Sequence, residues 1–443
     1  MKVEGPGAAR AWSGLRSAAV LGLGIATVAS AVAAPPSAQA APASAPAKRQ
    51  TVPVDAAALR ATTAALGDLG LALLRDAPGA NAVVSPLAVA TVLGLVHAGA
   101  SGATEHEIEA LFGGARTGAA AMRQALPALS AQLRDEGAAA TPGPAARLAA
   151  RAWVDRRVAA DVPTSYKRRL ALRHGADALT LSFADTEAAR GQINRWTAEH
   201  TAGRVSELLP AGSLAKSTQI TLTAAVHFRS AWDKPFDAGQ TEARPFATSG
   251  GGQAAVPTLV DERPVAQAVV DGALLYALPF AGGYDLVVAL PTGSASGEVE
   301  ALLKGLSGAS FARWHAALKA PPTARCAFAL PKFSFAPKAG SIKAPLERLG
   351  VKRAFTDRAE LRPMLGRSAA GAHVDDVHHA AGMAIDEAGG EAVAAAAATV
   401  KPKSLATPTP ACAVDRAFAF VVMHRASGVP LFVGRVGDPA RSE

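Results

Sequence analysis

Residues 387–404 read EAGGEAVAAAAATVKPKS. Taken at alternate positions, Gly390, Ala392, Ala394, Ala396, Ala398, Val400 and Pro402 form one set, and Glu391, Val393, Ala395, Ala397, Thr399, Lys401 and Lys403 the other. Every polar side chain falls in the second set. A β-strand alternates its side chains between two faces, so the segment can lay small apolar groups against a core and keep its charges in water. Two other readings stand beside this one: an alanine run favours helix, and an Ala/Pro/Lys composition is common in linkers. The remainder of the chain weighs against a linker. Two strand-like runs, 418–423 and 430–436, are joined through a Ser427-Gly428 turn, and a tail that small cannot build a domain. It must pair back into the main body, which makes 389–410 a long excursion anchored at both ends. Long loops inside compact domains are usually functional.

The chain has 443 residues, half of them hydrophobic, enough for a substantial core. Residues 1–40 carry Lys2, Arg10 and Arg16 ahead of an apolar run and end in Ala38-Gln39-Ala40, the pattern of an export signal with a small-x-small cleavage site. The run is short and broken by glycines, which argues against a retained membrane anchor. Residues 41–52 read as an Ala/Pro-rich spacer and 53–443 as one domain, with no internal repeat. A formal net charge of +9 invites a nucleic-acid or polyanion partner, but the basic residues are scattered rather than interleaved with aromatics. The densest group, Arg151, Arg156, Arg157, Lys167, Arg168, Arg169 and Arg173, reads as a solvated face. Cys326 and Cys412 both lie in strand-like segments of a chain read as exported, where a disulfide persists; the sequence leaves open whether they are bridged.

Catalytic motifs are missing. Gly293-Ser294-Ala295-Ser296-Gly297 places alanine where a nucleophile elbow needs serine. His106-Glu107 lacks the second histidine of a zinc-peptidase helix. His378-His379 would point to opposite faces of a strand, so at least one of them reads as a core histidine.

A series of motifs in register carries a resemblance. Asn81-Ala82-Val83-Val84-Ser85-Pro86-Leu87 is followed by Gly99-Ala100-Ser101-Gly102-Ala103-Thr104; next come Ile193-Asn194-Arg195-Trp196, residues 201–209, and Phe228 through Trp232-Asp233-Lys234-Pro235-Phe236. Leu330-Pro331-Lys332-Phe333, Leu349-Gly350-Val351, Ala354-Phe355, Val377-His378-His379 and Leu431-Phe432-Val433-Gly434-Arg435 complete it. From about Leu59 to Pro439 the chain resembles the serpins, as an exported bacterial-type member. The resemblance implies an α+β fold of three β-sheets and eight or nine helices, with an exposed reactive loop at about 387–410. It implies a suicide inhibitor rather than an enzyme, a trypsin-like serine protease as covalent acyl partner, no nucleic acid, no membrane after signal cleavage, no cofactor or metal, and a monomer that is secreted or periplasmic. Counting from Glu387 by the usual family length places the scissile bond between Lys403 and Ser404, with Lys401 the alternative. Glu387, Gly389, Gly390, Glu391, Ala392, Val393, Ala394, Ala395 and Ala396 are similar to the hinge that inserts into the central sheet, and Ser85, Trp232 and His379 to the residues that govern sheet opening.

The chain also departs from the family pattern. Gly390 replaces a usual threonine or serine, Ala224 an asparagine that bonds the histidine at His379, and Ala88 a serine. Ala417 and Cys412 stand for a proline and an apolar residue. Ala224 and Ala88 thin the sheet-opening network, and Gly390 keeps a second function open: a non-inhibitory member that is merely a protease substrate, or a binding or chaperone-like protein. A Cys326–Cys412 bridge would tie down the strand after the loop and lock the uncleaved molecule against self-insertion.

Overall fold

The computed structural model describes residues 56–139, 145–293, 297–322, 325–336, 339–390 and 409–441. Residues 1–40 and 41–52, read as export signal and spacer, the expected hinge positions Glu391, Ala392, Val393, Ala394, Ala395 and Ala396, and the Lys403-Ser404 bond lie outside the described residues.

The tail that follows the loop forms the middle of the core. Phe418–His424 and Pro430–Val436 are buried at every position, as unbroken apolar runs such as FAFVV and PLFV require. They pair antiparallel, Val421 opposite Val433, and Gly428 turns the chain between them at φ 73°. The full sheet has six strands in the order Ala82–Val84, Pro430–Val436, Phe418–His424, Tyr284–Pro291, Ala273–Phe280 and Ala266–Val270. Gly434 is there for space: a Cβ would stand 2.3 Å from Phe420 Cζ and 2.8 Å from Ala82 O. Arg435 is buried beside it and donates to the carbonyl of Leu74 in the last turn of helix Ala56–Asp76 and to those of Ala77 and Gly79 just beyond its end. That helix is long and apolar enough to cross a membrane, but Leu66, Leu69, Leu71, Leu73 and Leu74 are buried in the core.

Helix Pro86–His97 is apolar on all sides and correspondingly buried at all twelve positions. Proline follows its cap, and Ser85 Oγ accepts from Ala88 N at 3.3 Å. It packs against strand Ile220–Ala231 of the large sheet. Among the described residues the helices comprise eight bodies, namely Ala56–Asp76, Pro86–His97, Gly102–Ala110, a run from Gly114 to Ala139 interrupted by a π turn, a run from Thr164 to His174, Thr186–His200, Glu298–Gly305 and Gly308–Ala317. Two short segments, Lys343–Arg348 and Arg362–Leu365, are additional.

Several motif residues act as polar staples. Asn81 Oδ1 accepts from Gly437 N and Asp438 N at 2.9 Å each. Asn194 Oδ1 accepts from Leu208 N and Leu209 N, while its Nδ2 donates to Leu209 O at 2.9 Å. Each amide satisfies backbone groups that a turn would otherwise bury unpaired.

The large sheet also has six strands, in the order Phe333–Phe335, Met383–Ile385, Gly389–Gly390, Ile220–Ala231, Ala145–Asp155 and Asp177–Leu181. A four-stranded sheet runs Ala411–Ala413, Arg325–Pro331, Gln253–Pro264 and Glu242–Ala247. Three main sheets and a surrounding layer of helices make the α+β architecture that the motifs imply.

Candidate functional site

The long excursion leaves one sheet and enters another. At its first end, Gly389–Gly390 is a two-residue strand between Met383–Ile385 and Ile220–Ala231, with Gly389 opposite Ala231, Gly390 opposite Ser230, and Ile385 opposite Gly390. Gly389 has φ 146°, a backbone geometry that other residues rarely adopt, and a Cβ there would meet Ser230 O at 2.2 Å. Gly390 lies under two rings: a Cβ would stand 3.1 Å from Phe228 Cε1 and 3.6 Å from Phe280 Cε1. Its departure from threonine is therefore matched by a packed aromatic lid.

Glu387 is fixed by three contacts. Lys332 Nζ donates to both its oxygens at 3.0 and 2.8 Å, and Thr241 Oγ1 donates at 2.7 Å. Burial pushes the Glu387 carboxyl up, but the bonds from Lys332 and Thr241 outweigh it and hold the group below its ordinary range. Lys332 belongs to the Leu330-Pro331-Lys332-Phe333 motif, so that motif reaches the hinge directly.

Trp232 also serves this end. Its Nε1 donates to Asp386 O at 2.9 Å, its backbone N donates to Ala388 O at 3.0 Å, and its indole stacks on Phe280 with centroids 4.2 Å apart. Asp386 Oδ1 in turn accepts from Ala388 N and Gly389 N at 2.8 and 3.0 Å. Together these bonds close the tight turn that carries the chain into the sheet. Arg263 backs the neighbouring motif, its guanidinium 3.6 Å from the centre of the Phe236 ring and bonded to Lys234 O at 3.0 Å.

Strand Ile220–Ala231 is unequally used. One edge pairs with Ala145–Asp155 from Ile220 to Arg229. Among the described residues, strand pairing on the other edge is confined to Ser230 and Ala231. Among the described residues, the length of that edge from Ile220 to Arg229 is an unpaired slot in line with Gly390.

His379 and Ser85 meet at the N-terminal cap of helix Pro86–His97, which packs against strand Ile220–Ala231. Ser85 N donates to His379 Nε2 at 3.0 Å, so that ring nitrogen carries a lone pair, and burial drives the imidazole down to about 4. The Ser85 hydroxyl is spent on its helix cap, so the contact is made by the backbone. Trp232 is not part of this pair; it belongs to the hinge. Ala224, where the family pattern has asparagine, is buried at 4% exposure. His378 is half-buried, with Nε2 3.7 Å from Asp376 Oδ2, and among the described residues it joins no three-ligand group with His379.

At the second end, Ala411–Ala413 runs parallel to Arg325–Pro331, with Phe328 opposite Cys412. Ala327 N donates to Pro410 O at 2.8 Å and Val414 N to Ala329 O at 2.9 Å. Cys326 and Cys412 are joined in a disulfide, their Cα atoms 5.8 Å apart and both side chains buried. The return of the loop is thus pinned covalently to its neighbour. Within the basic group, Arg151 forks onto Asp177 at 2.6 and 2.9 Å and lies over Trp196, and Arg157 binds Asp155 at 2.6 Å.

A sequence profile described as "Serpin (serine protease inhibitor)" matches residues 64–439. The rice protein named putative serpin-Z8 is 29% identical over 394 residues, covering 82% of this chain and 92% of its own length. Human thyroxine-binding globulin, solved in complex with thyroxine, superposes with a TM-score of 0.74 at 20% identity, covering 87% of this chain and all of that one. Arabidopsis AtSerpin1, in a native stressed conformation, superposes with a TM-score of 0.70 at 21% identity, covering 88% of this chain and all of the plant protein. The profile match over most of the chain defines the class. The chain belongs to the serpin family.

Proposed function

We propose that this serpin is a suicide-type inhibitor of a trypsin-like serine protease, acting outside the cytoplasm as a secreted or periplasmic monomer. The observation that carries the reading is the placement of Gly389–Gly390, already laid into the large sheet at the head of an otherwise unshared strand edge among the described residues. The export pattern in residues 1–40 and the disulfide agree on an oxidising compartment.

The protease serine Oγ attacks the Lys403 carbonyl carbon, the bond to Ser404 N breaks, and the protease's general acid protonates the leaving amine. This leaves an ester between Lys403 and the protease. The lysine ammonium suits a primary pocket that ends in a carboxylate. Freed from Ser404, the chain from Gly390 onward can continue along Ile220–Ala231 and carry the acylated enzyme with it. Ladder hydrogen bonds contribute about 0.5 to 1.5 kcal/mol each net, while ordering the backbone costs roughly 1 to 2 kcal/mol per residue. Those two nearly cancel, so the drive comes from a native sheet that relaxes when its gap is filled. Dragging the protease deforms the geometry that deacylation needs. Small groups on the inserting face, Ala392, Ala394, Ala396 and Ala398, keep the insertion fast, whereas a charge there would be buried unpaired.

Incubation with trypsin tests this. A denaturant-stable adduct whose mass spectrum places the ester at Lys403, lost in Lys403→Glu, is the expected result. Clean cleavage without an adduct would make the protein a substrate, and no reaction would favour a binding role.

A further inference from the structure

Three elements meet at the C-terminal end of the buried helix. His97 is the last residue of Pro86–His97; Glu105 and Glu109 stand one turn apart on Gly102–Ala110, so both carboxylates leave the same face; and Arg123 comes from the π turn Ala121–Ala125. His97 Nε2 lies 3.1 Å from Glu109 Oε1 and 3.6 Å from Glu105 Oε1. Arg123 Nη2 lies 2.5 Å from Glu105 Oε1 and 3.4 Å from Glu109 Oε1. One ligand atom from each of His97, Glu105 and Glu109 falls within 4.8 Å of the other two.

Those distances have the dimensions of a small coordination polyhedron. Zinc bonds of about 2.0 to 2.2 Å to imidazole nitrogen and carboxylate oxygen put tetrahedral ligands roughly 3.3 to 3.5 Å apart. The two separations from His97 Nε2, 3.1 and 3.6 Å, straddle that value. The side chains differ in their freedom to move. Those of His97 and Glu109 are 2% and 3% exposed, while that of Arg123 is 46% exposed. The half-exposed guanidinium can swing into water, leaving the buried Glu109 carboxylate to a divalent ion that would bring two positive charges where Arg123 brings one.

We infer that His97, Glu105 and Glu109 form a binding site for a zinc-type divalent cation, with water as the fourth ligand and Arg123 as the competing cation. One imidazole with two carboxylates favours zinc over magnesium, which prefers an all-oxygen octahedron. The ion would brace the C-terminal end of the helix whose N-terminal cap, Ser85, holds His379. It would thereby stiffen the body against which Ile220–Ala231 must move.

The test is calorimetric titration of the intact protein with Zn²⁺, together with the visible spectrum of its Co²⁺ form. One equivalent should bind, and Co²⁺ should show the intense bands of tetrahedral coordination. Glu105→Gln, at the partly exposed ligand, should weaken binding by at least about tenfold, the lower range seen even for outer-shell losses. Arg123→Ala should tighten it. Absence of stoichiometric binding to the wild type overturns the site, including the case in which only Arg123→Ala binds, because the arginine would then seal it. Binding indifferent to Glu105→Gln overturns it as well. Neither readout involves protease trapping, so this inference stands or falls apart from the proposed function.

Discussion

Removing the Cys326–Cys412 bond should speed the self-insertion of the uncleaved loop. Gly390 is opposite Ser230, so filling the slot down to Ile220 takes ten further residues, 391–400, about 34 Å of strand at roughly 3.4 Å per residue. The uncleaved chain must then return from residue 400 to Ala411, where the four-stranded sheet begins. Its eleven Cα steps reach at most about 36 to 40 Å when fully extended, before any sideways travel between the sheets. Full insertion is therefore taut or impossible while Ala411–Ala413 stays in place. Peeling that three-residue edge strand as far as Phe418 adds seven residues, or roughly 24 Å. Its few ladder bonds are worth about 1 kcal/mol each, a barrier that heat overcomes, whereas the disulfide forbids separation outright. Cys412→Ala, or reduction followed by alkylation, should raise the rate of spontaneous activity loss at elevated temperature by at least about tenfold, corresponding to about 1.4 kcal/mol in the barrier. The product should be full-length and more heat-resistant than the starting protein. The ring closed by the bond spans 86 positions, so chain entropy also predicts about 4.6 kcal/mol of lost equilibrium stability; the control is Cys326→Ala with Cys412→Ala, which should behave like the reduced protein. Equal rates of activity loss for oxidised and reduced protein would refute the tether.

The same geometry fixes three further outcomes. Cleavage between Lys403 and Ser404 falls inside the ring closed by Cys326 and Cys412, so residues 404–443 should stay on the trypsin adduct in a non-reducing gel and leave only on reduction; their loss without reductant would contradict the bridge. Gly389→Ala forces a Cβ to 2.2 Å from Ser230 O at φ 146° and should cost about 1 to 3 kcal/mol in thermal or denaturant unfolding, with trapping slowed in stopped-flow assays. For His379 the folded value of about 4 lies below the ordinary 6.5, a depressed base: its stabilisation is complete above about pH 6.5 and is lost as the pH falls toward 4, in all about 3 kcal/mol. Thermal inactivation should accelerate across that window in the wild type and stay flatter in His379→Gln, and identical pH profiles would exclude His379 as the group responsible.

Much of the fold could be read from the chain because its signals are local. The apolar runs in Phe418–His424 and Pro430–Val436 announce strands buried on both faces, and Pro86–His97 announces a buried helix, without reference to anything distant. The hinge is legible only in outline. Small residues at 389 and 390 fit an inserting strand, but the reason for glycine at 390, the Phe228 and Phe280 rings, comes from residues more than a hundred positions away. The partners of Glu387 are also distant, Lys332 by 55 positions and Thr241 by 146. Ser85 and His379 do touch, yet their bond runs through a backbone N–H that no side-chain pattern reveals, and Trp232 belongs instead to the hinge turn. The trio His97, Glu105 and Glu109 leaves one trace, two glutamates four apart on a helix, and without the turn that folds His97 back over them that spacing is an ordinary solvated face.

The two ends of the loop differ in kind, and the difference sets a direction. At the first end the hold is a set of hydrogen bonds and one ion pair around glycines and small side chains, and the two-residue strand Gly389–Gly390 can lengthen in the same register by adding residues after Gly390. At the second end the hold is a covalent bond buried beside an edge strand. On the proposed inhibitory mechanism only the first end advances, so insertion would follow only once the chain between the two is cut. Ala224 and Ala88, in place of polar residues, would on the same proposal lower the barrier to opening the sheet; the disulfide would leave that barrier low for the cleaved molecule while denying the intact one the slack to exploit it. Restoring polar side chains at both alanine positions should therefore slow trapping of trypsin while changing the heat-inactivation rate of the oxidised protein little, and a large gain in heat resistance from that double variant would show that the sheet, not the tether, guards the uncleaved state.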